Sequence, residues 1–129
     1  FGASVALSGE TALVGAPSAD LPGETDAGCA YAFLRTKGFW SQQGKLTHPS
    51  PGQDDYNGSS VSLSGNIALL GAPGFDVGLN TESGAAFLFA RVNGAWLFQD
   101  DDLGSFEANS WGGTSVAISG STLVIGAPN

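Results

Sequence analysis

Tyr56 and Trp111 stand 55 residues apart at one place in a repeated pattern, each followed closely by glycine. An aromatic side chain in such a loop is suited to stacking on a sugar or anchoring a partner, as aromatic residues do at binding hot spots. The competing reading, and the more common use of such a residue, is packing at the root of the loop. Two matching loops carry oxygen ligands: Asp20, Glu24 and Asp26 in one, Asp76, Asn80 and Glu82 in the other. Such groups bind hard cations, but no calcium-loop motif is present, and the same residues build turns. Tyr56, Trp111, Asp20, Asp26, Asp76 and Glu82 are therefore the candidate ligand-binding set.

The other chemically capable residues point less far. Asp100-Asp101-Asp102 reads either as solvated edge-strand charge or as a contact for a metal or a basic partner. Asn57-Gly58-Ser59 is an N-glycosylation sequon in a turn-like setting, meaningful only in a secreted eukaryotic protein. His48, the one histidine, precedes Pro49 and has no second ligand in sequence, so it is expected in an exposed loop. Cys29, the one cysteine, stands where the next copy has Ala85, which suggests a small buried thiol rather than a nucleophile. There is no phosphate loop, no histidine pair for zinc and no base separable from the scattered carboxylates. No catalytic residue and no metal site are assigned, and a glycosidase pair among the loop carboxylates is not something spacing in sequence can place.

These residues are positioned by a repeat. SVALSGETALVGAP, Ser4 to Pro17, returns as SVSLSGNIALLGAP from Ser60 to Pro73 and as SVAISGSTLVIGAP from Ser115 to Pro128. A period near fifty marks an array of small sheets. Within each copy Val5 and Leu7 alternate with small or polar residues, the mark of a strand. Gly9-Glu10, Gly65-Asn66 and Gly120-Ser121 follow as two-residue hairpin turns with glycine in the first position. The second strand, Ala12 to Ala16, is small and apolar, as strands buried on both faces are. A polar loop leads to a third strand, Gly28 to Arg35 and Gly84 to Arg91, and Lys37-Gly38 or Asn93-Gly94 turns the chain into a fourth. Fourth strands are expected over Trp40 to Leu46 and Trp96 to Leu103.

Four antiparallel strands per period predict an all-β chain of β-propeller blades. Blade one spans residues 1–56, blade two 57–111, and the first two strands of a third 112–129. The short turns fall on one face and the long loops on the other. The long loops carry Asp20, Glu24, Asp26, Asp54, Asp55, Asp76, Glu82 and Glu107, eight of the twelve acidic residues, whereas Arg35, Lys37 and Arg91 lie toward the short turns. Trp40 and Trp96 share one repeat position and are expected in the core.

Composition limits the partners. The 129 residues carry a net charge of −8, which argues against nucleic acid and for cations or basic partners. With 42% hydrophobic and 12% charged residues the chain folds rather than remaining disordered. Its apolar runs are too short for a membrane-spanning helix, so no membrane insertion is expected. The chain begins without Met or a leader, which is read as processing or as excision from a longer protein.

Phe1-Gly2, Gly15-Ala16-Pro17, Gly71-Ala72-Pro73 and Gly126-Ala127-Pro128 make the chain resemble the FG-GAP repeats, with the first half degenerate as Asn57-Gly58 and Gly112-Gly113. The family builds the integrin α-subunit propeller and many secreted bacterial and algal propellers, and this chain looks closer to the latter. The resemblance implies an extracellular or cell-surface structural, adhesion or interaction platform, seldom an enzyme, with protein or glycan ligands. In integrin-type repeats the hairpin between the first two strands binds calcium. Here that hairpin has shrunk to two residues, so no ligand set carries over and no cofactor is expected. Two and a half blades do not close a ring, which needs four to eight. The expected remedy is further blades of the same chain, or neighbouring chains that complete a short self-assembling one. A carbohydrate-binding propeller using Tyr56 and Trp111 is the main alternative function.

Overall fold

The computed structural model describes residues 1–100, 103–104 and 106–129. The described residues form ten strands and no helix. Strands β1 (Ser4–Ser8), β2 (Thr11–Ala16), β3 (Cys29–Thr36) and β4 (Phe39–Leu46) make one four-stranded antiparallel sheet in sequence order. Strands β5 (Ser60–Ser64), β6 (Ile67–Ala72), β7 (Ala85–Val92) and β8 (Ala95–Asp100) repeat it, and β9 (Ser115–Ser119) pairs with β10 (Thr122–Gly126). These are two and a half blades of a propeller. Strand β8 is described to Asp100; Asp101 and Asp102 of the acidic run lie outside the described residues, and Leu103, expected to end the strand, sits in a bend.

Turn chemistry follows the residues. Gly9, Gly65 and Gly120 take φ of 56°, 57° and 58° at the first turn position, as a type II′ hairpin needs. Lys37 with Gly38, and Asn93 with Gly94, are both left-handed, as in type I′ turns. The β3–β4 register shifts at Ala32/Phe33, where Gly44 and Gln42 are the partners and Gln43 is left over as a bulge; Gln99 is skipped in the same way between β7 and β8. A bulge re-aims its side chain, and Gln43 uses this to cross to the next blade. Its Oε1 accepts from Arg91 at 3.1 Å and from Trp96 Nε1 at 3.1 Å.

The core lies between the blades. Leu13, Ala30, Ala32 and Leu46 of the first sheet meet Val61, Leu63, Ala68, Leu70, Phe87 and Phe89 of the second in one buried cluster. Val61 and Leu63 are 9% and 7% exposed, whereas Val5 and Leu7, their counterparts in the first blade, are 70% and 72% exposed. Burial of the repeat's apolar face is thus supplied by the preceding blade. The same asymmetry corrects the expectation for Trp40. Trp96 packs half-buried on the core under Gln43, whereas Trp40, on the outer side of the first blade described, is 48% exposed and its ring meets the Arg35 guanidinium at 5.6 Å.

Backbones close the joint between blades. The Gly58 amide donates to Gly71 O within its own blade, while Gly58 O accepts from Ser4 Oγ of the preceding one at 2.8 Å. A Cβ on Gly58, at φ +90°, would overlap the carbonyl oxygen of Cys29, and one on Gly15 would overlap that of Gly58. The two halves of the repeated motif are glycine because they press on each other across the blade boundary.

Candidate functional site

The 2–3 loop of each blade is fastened to the 4–1 segment that leads into the next. In the first joint, Asp26 is left-handed, its amide donates to Asp20 Oδ1 at 3.0 Å and its carbonyl accepts from the Tyr56 amide at 3.1 Å. In the second, Glu82 repeats this: its amide donates to Asp76 Oδ1 at 2.7 Å and its carbonyl accepts from the Trp111 amide at 3.2 Å. Asp54 and Asn109 likewise donate to Thr25 O and Thr81 O. Asp20 and Asp76 therefore shape turns, and the carboxyl groups of Asp26 and Glu82 are carried at the tops of the two joints.

Tyr56 and Trp111 are held there at φ of 53° and 54°. Left-handed backbone is unfavourable for a bulky residue, costing on the order of 1–3 kcal/mol. The conformation recurs because the amide must reach back to the 2–3 loop. Its consequence is that both rings stand up from the joint, 36% and 45% exposed. Together with Ser59, Pro73, Gly74 and Glu82 they line one cavity of about 230 Å³ on the long-loop face of the second blade.

Both aromatic side chains of this notch donate to carboxylates. Trp111 Nε1 donates to Glu82 Oε2 at 3.4 Å, and the Tyr56 hydroxyl donates to Asp54 Oδ1 at 3.4 Å. The charge of Asp54, then desolvation, then the charges of Asp26 and Glu82 raise the Tyr56 phenol above its ordinary value. Ser59 Oγ donates to Tyr56 O at 2.7 Å and braces the loop. Of the six candidate residues, Tyr56, Trp111 and Glu82 come together in the notch, Asp26 holds the Glu82 position of the preceding joint, and Asp20 and Asp76 lie outside it.

Three sequence readings change. Asn57 is 1% exposed, with its amide donating to Ala27 O and its side chain enclosed, so a glycan has no access to it. His48 is not an exposed loop residue; it is 7% exposed, its ring 4.4 Å from that of Phe87 and 5.1 Å from that of Phe98, and Nδ1 accepts from the Ser50 amide at 3.1 Å. Aromatic neighbours from the second blade cover it, which no local signal in the Thr47–Ser50 segment announces. Asp55, unremarkable in sequence, is 5% exposed and accepts from the Gly52 amide at 2.5 Å. Burial pushes its carboxyl up to about 6, against the lowering effect of the Gly52 bond and His48. Cys29 is buried, as its place opposite Ala85 suggests.

Among the described residues no three His, Cys, Asp or Glu side chains are grouped to hold a metal ion. No helix among them is long and apolar enough to cross a membrane. A sequence model of the FG-GAP repeat matches residues 1–33 and 40–89. No curated protein matches the chain.

Proposed function

Since the chain belongs to the FG-GAP repeat family, whose propeller-like domains serve interaction and are generally not catalytic, we propose that it is a non-enzymatic platform meeting partners through its acidic long-loop face. FG-GAP repeats usually occur in extracellular or surface proteins, and an adhesion role outside the cell is the setting proposed here. One observation carries the reading: two aromatic residues at equivalent repeat positions are kept exposed by a costly left-handed backbone and line one notch with Glu82. Core aromatics are not placed in this way.

The test is adhesion of beads coated with the protein to cell or matrix surfaces. Tyr56→Ala with Trp111→Ala is expected to abolish adhesion, and Lys37→Gln on the short-turn face to leave it intact. Equal adhesion by both variants would move the working surface elsewhere. A carbohydrate-binding role is favoured by the pairing of the two rings in a single cavity, and a glycan array probed with the same aromatic variant addresses it directly. Further blades, of this chain or of neighbouring ones, are proposed partners for the flank bearing Val5 and Leu7, whose counterparts Val61 and Leu63 are buried.

A further inference from the structure

We propose that the Tyr56–Trp111 notch is a binding site for an alkylammonium group, such as a lysine side chain of a partner or one end of a free polyamine. The inference rests on the long-loop face being the working surface, and it names the chemistry that surface takes.

The lining residues of the notch include one carboxylate, Glu82, two aromatic rings and no Lys, Arg or His. The carboxyl groups of Asp54 and Asp26 act on Tyr56 from the adjoining joint. The four Lys and Arg residues lie elsewhere: Arg35 is paired with Glu10, Lys37 lies in the β3–β4 turn, Lys45 sits over Tyr31, and Arg91 is bonded to Asn66, Thr11 and Gln43. Negative charge in the notch is thus left without a counter-charge from the lining.

Ligand chemistry follows from desolvation. An uncharged ligand filling the notch would strip water from Glu82 without replacing its charge, which is costly. A cation compensates the carboxylate and is also attracted to the faces of Tyr and Trp rings. Between ammonium and guanidinium, the geometry favours ammonium. Guanidinium gains most from a carboxylate that offers both oxygens to its fork. Trp111 Nε1 already donates to Glu82 Oε2, so a guanidinium fork would have to share that oxygen with the indole, whereas a compact ammonium head needs only Oε1, with the alkyl stem placed along Pro73 and the rings.

The experiment titrates the protein with n-butylammonium, n-butylguanidinium, a capped Gly-Lys-Gly peptide, spermidine and N-acetylglucosamine at low ionic strength, following the heat of binding by calorimetry, a readout that does not depend on Trp111. The ammonium ligands are expected to bind saturably and more tightly than the guanidinium. Glu82→Gln keeps an acceptor for Trp111 Nε1 while removing the charge, and it should weaken binding about tenfold, on the scale of a desolvated cation–π and charge contact. Trp111→Leu should do the same, while Glu10→Gln, which removes an equal charge from the short-turn face, should change nothing. Binding of the lysine peptide without spermidine identifies a protein partner, and the reverse identifies a polyamine.

The inference is overturned if no ammonium probe saturates, if Glu82→Gln binds like the unaltered protein, or if guanidinium or the sugar binds tighter. Thermal melting of each variant distinguishes lost binding from lost folding, and Trp111→Leu serves if Glu82→Gln does not fold. Should the cations fail while the Tyr56→Ala/Trp111→Ala pair still loses adhesion, the platform survives and only its ammonium chemistry falls.

Discussion

Replacing Asp55 by Asn should flatten the pH dependence of stability between pH 4 and 6. The carboxyl is 5% exposed, and burial raises it from the ordinary 3.8 to about 6, with Asp76 and Glu24 adding repulsion and the Gly52 amide and His48 opposing it. A group that holds its proton more tightly when folded stabilises the fold where it is protonated. Its contribution is therefore present below the unfolded value near 3.8 and lost as pH rises through about 6. At about 1.4 kcal/mol per pH unit, the wild type forfeits about 3 kcal/mol across that interval on account of this one residue. Asn retains an acceptor for Gly52 and carries no charge, so it should lack that slope. The figure is a ceiling for the gain at pH 7, because the new amide hydrogens also need partners.

Urea unfolding followed by tryptophan fluorescence at pH 4, 5, 6 and 7, for wild type and Asp55→Asn, measures this. The Glu10 carboxyl, lowered by its hydrogen bond to Arg35, favours the fold above its depressed value and loses that contribution as pH falls. It is common to both proteins and cancels in their difference. The expected result is a difference in stability that grows in favour of Asn from pH 4 to pH 6 and then levels. Parallel curves for the two proteins would refute the claim that Asp55 titrates inside the fold.

The blade interfaces yield the other predictions. Leu63→Ala should cost about 2–5 kcal/mol, as a core truncation does, while Leu7→Ala at the same repeat position should cost under about 0.5 kcal/mol; urea midpoints compare them, and equal losses would mean that Leu7 is covered. Gly58→Ala should lower stability by at least about 2 kcal/mol, because a Cβ meets the Cys29 carbonyl at a left-handed φ. Gly9→Ala, left-handed but in open space, should cost about 1 kcal/mol. Arg91→Lys should cost about 1–2 kcal/mol by losing its bonds to Asn66, Thr11 and Gln43 and its place 5.0 Å from the Trp96 ring, read as a drop in melting temperature. Arg35→Lys, bonded within its own sheet to Glu10, should leave that temperature unchanged.

What could be read from the chain was whatever a few neighbouring residues decide. Gly9-Glu10 and Asn93-Gly94 specify their turns because positive φ is a property of one or two residues, and β1 shows its alternation within five. Three copies in phase turned those local signals into an architecture. The readings that changed depend on the neighbouring sheet. Trp40 and Trp96 are identical in local sequence role, yet one is covered by Gln43 of the preceding blade and the other is open. His48 is enclosed by Phe75, Phe87 and Phe98, which lie 27 to 50 residues away along the chain. Asn57 lies inside because the motif's first position is a blade joint, a fact that the sequon pattern does not encode.

The notch shows both kinds of information combining. Alignment alone paired Tyr56 with Trp111, but a repeat places equivalent residues one blade apart and gives no reason for them to meet. They share a cavity because Tyr56 enters the second blade and Trp111 leaves it, so the two mark opposite ends of one unit whose floor is Pro73-Gly74. Any side chain on Gly74 would overlap the Asp54 carbonyl oxygen and crowd the Tyr56 ring. By the same construction each blade bounded by two aromatic joints gains one notch, with the acidic residue of its own 2–3 loop at the rim. A partner with several regularly spaced ammonium groups would then engage successive blades, and its binding would strengthen with the number of notches it spans rather than with the affinity of any one.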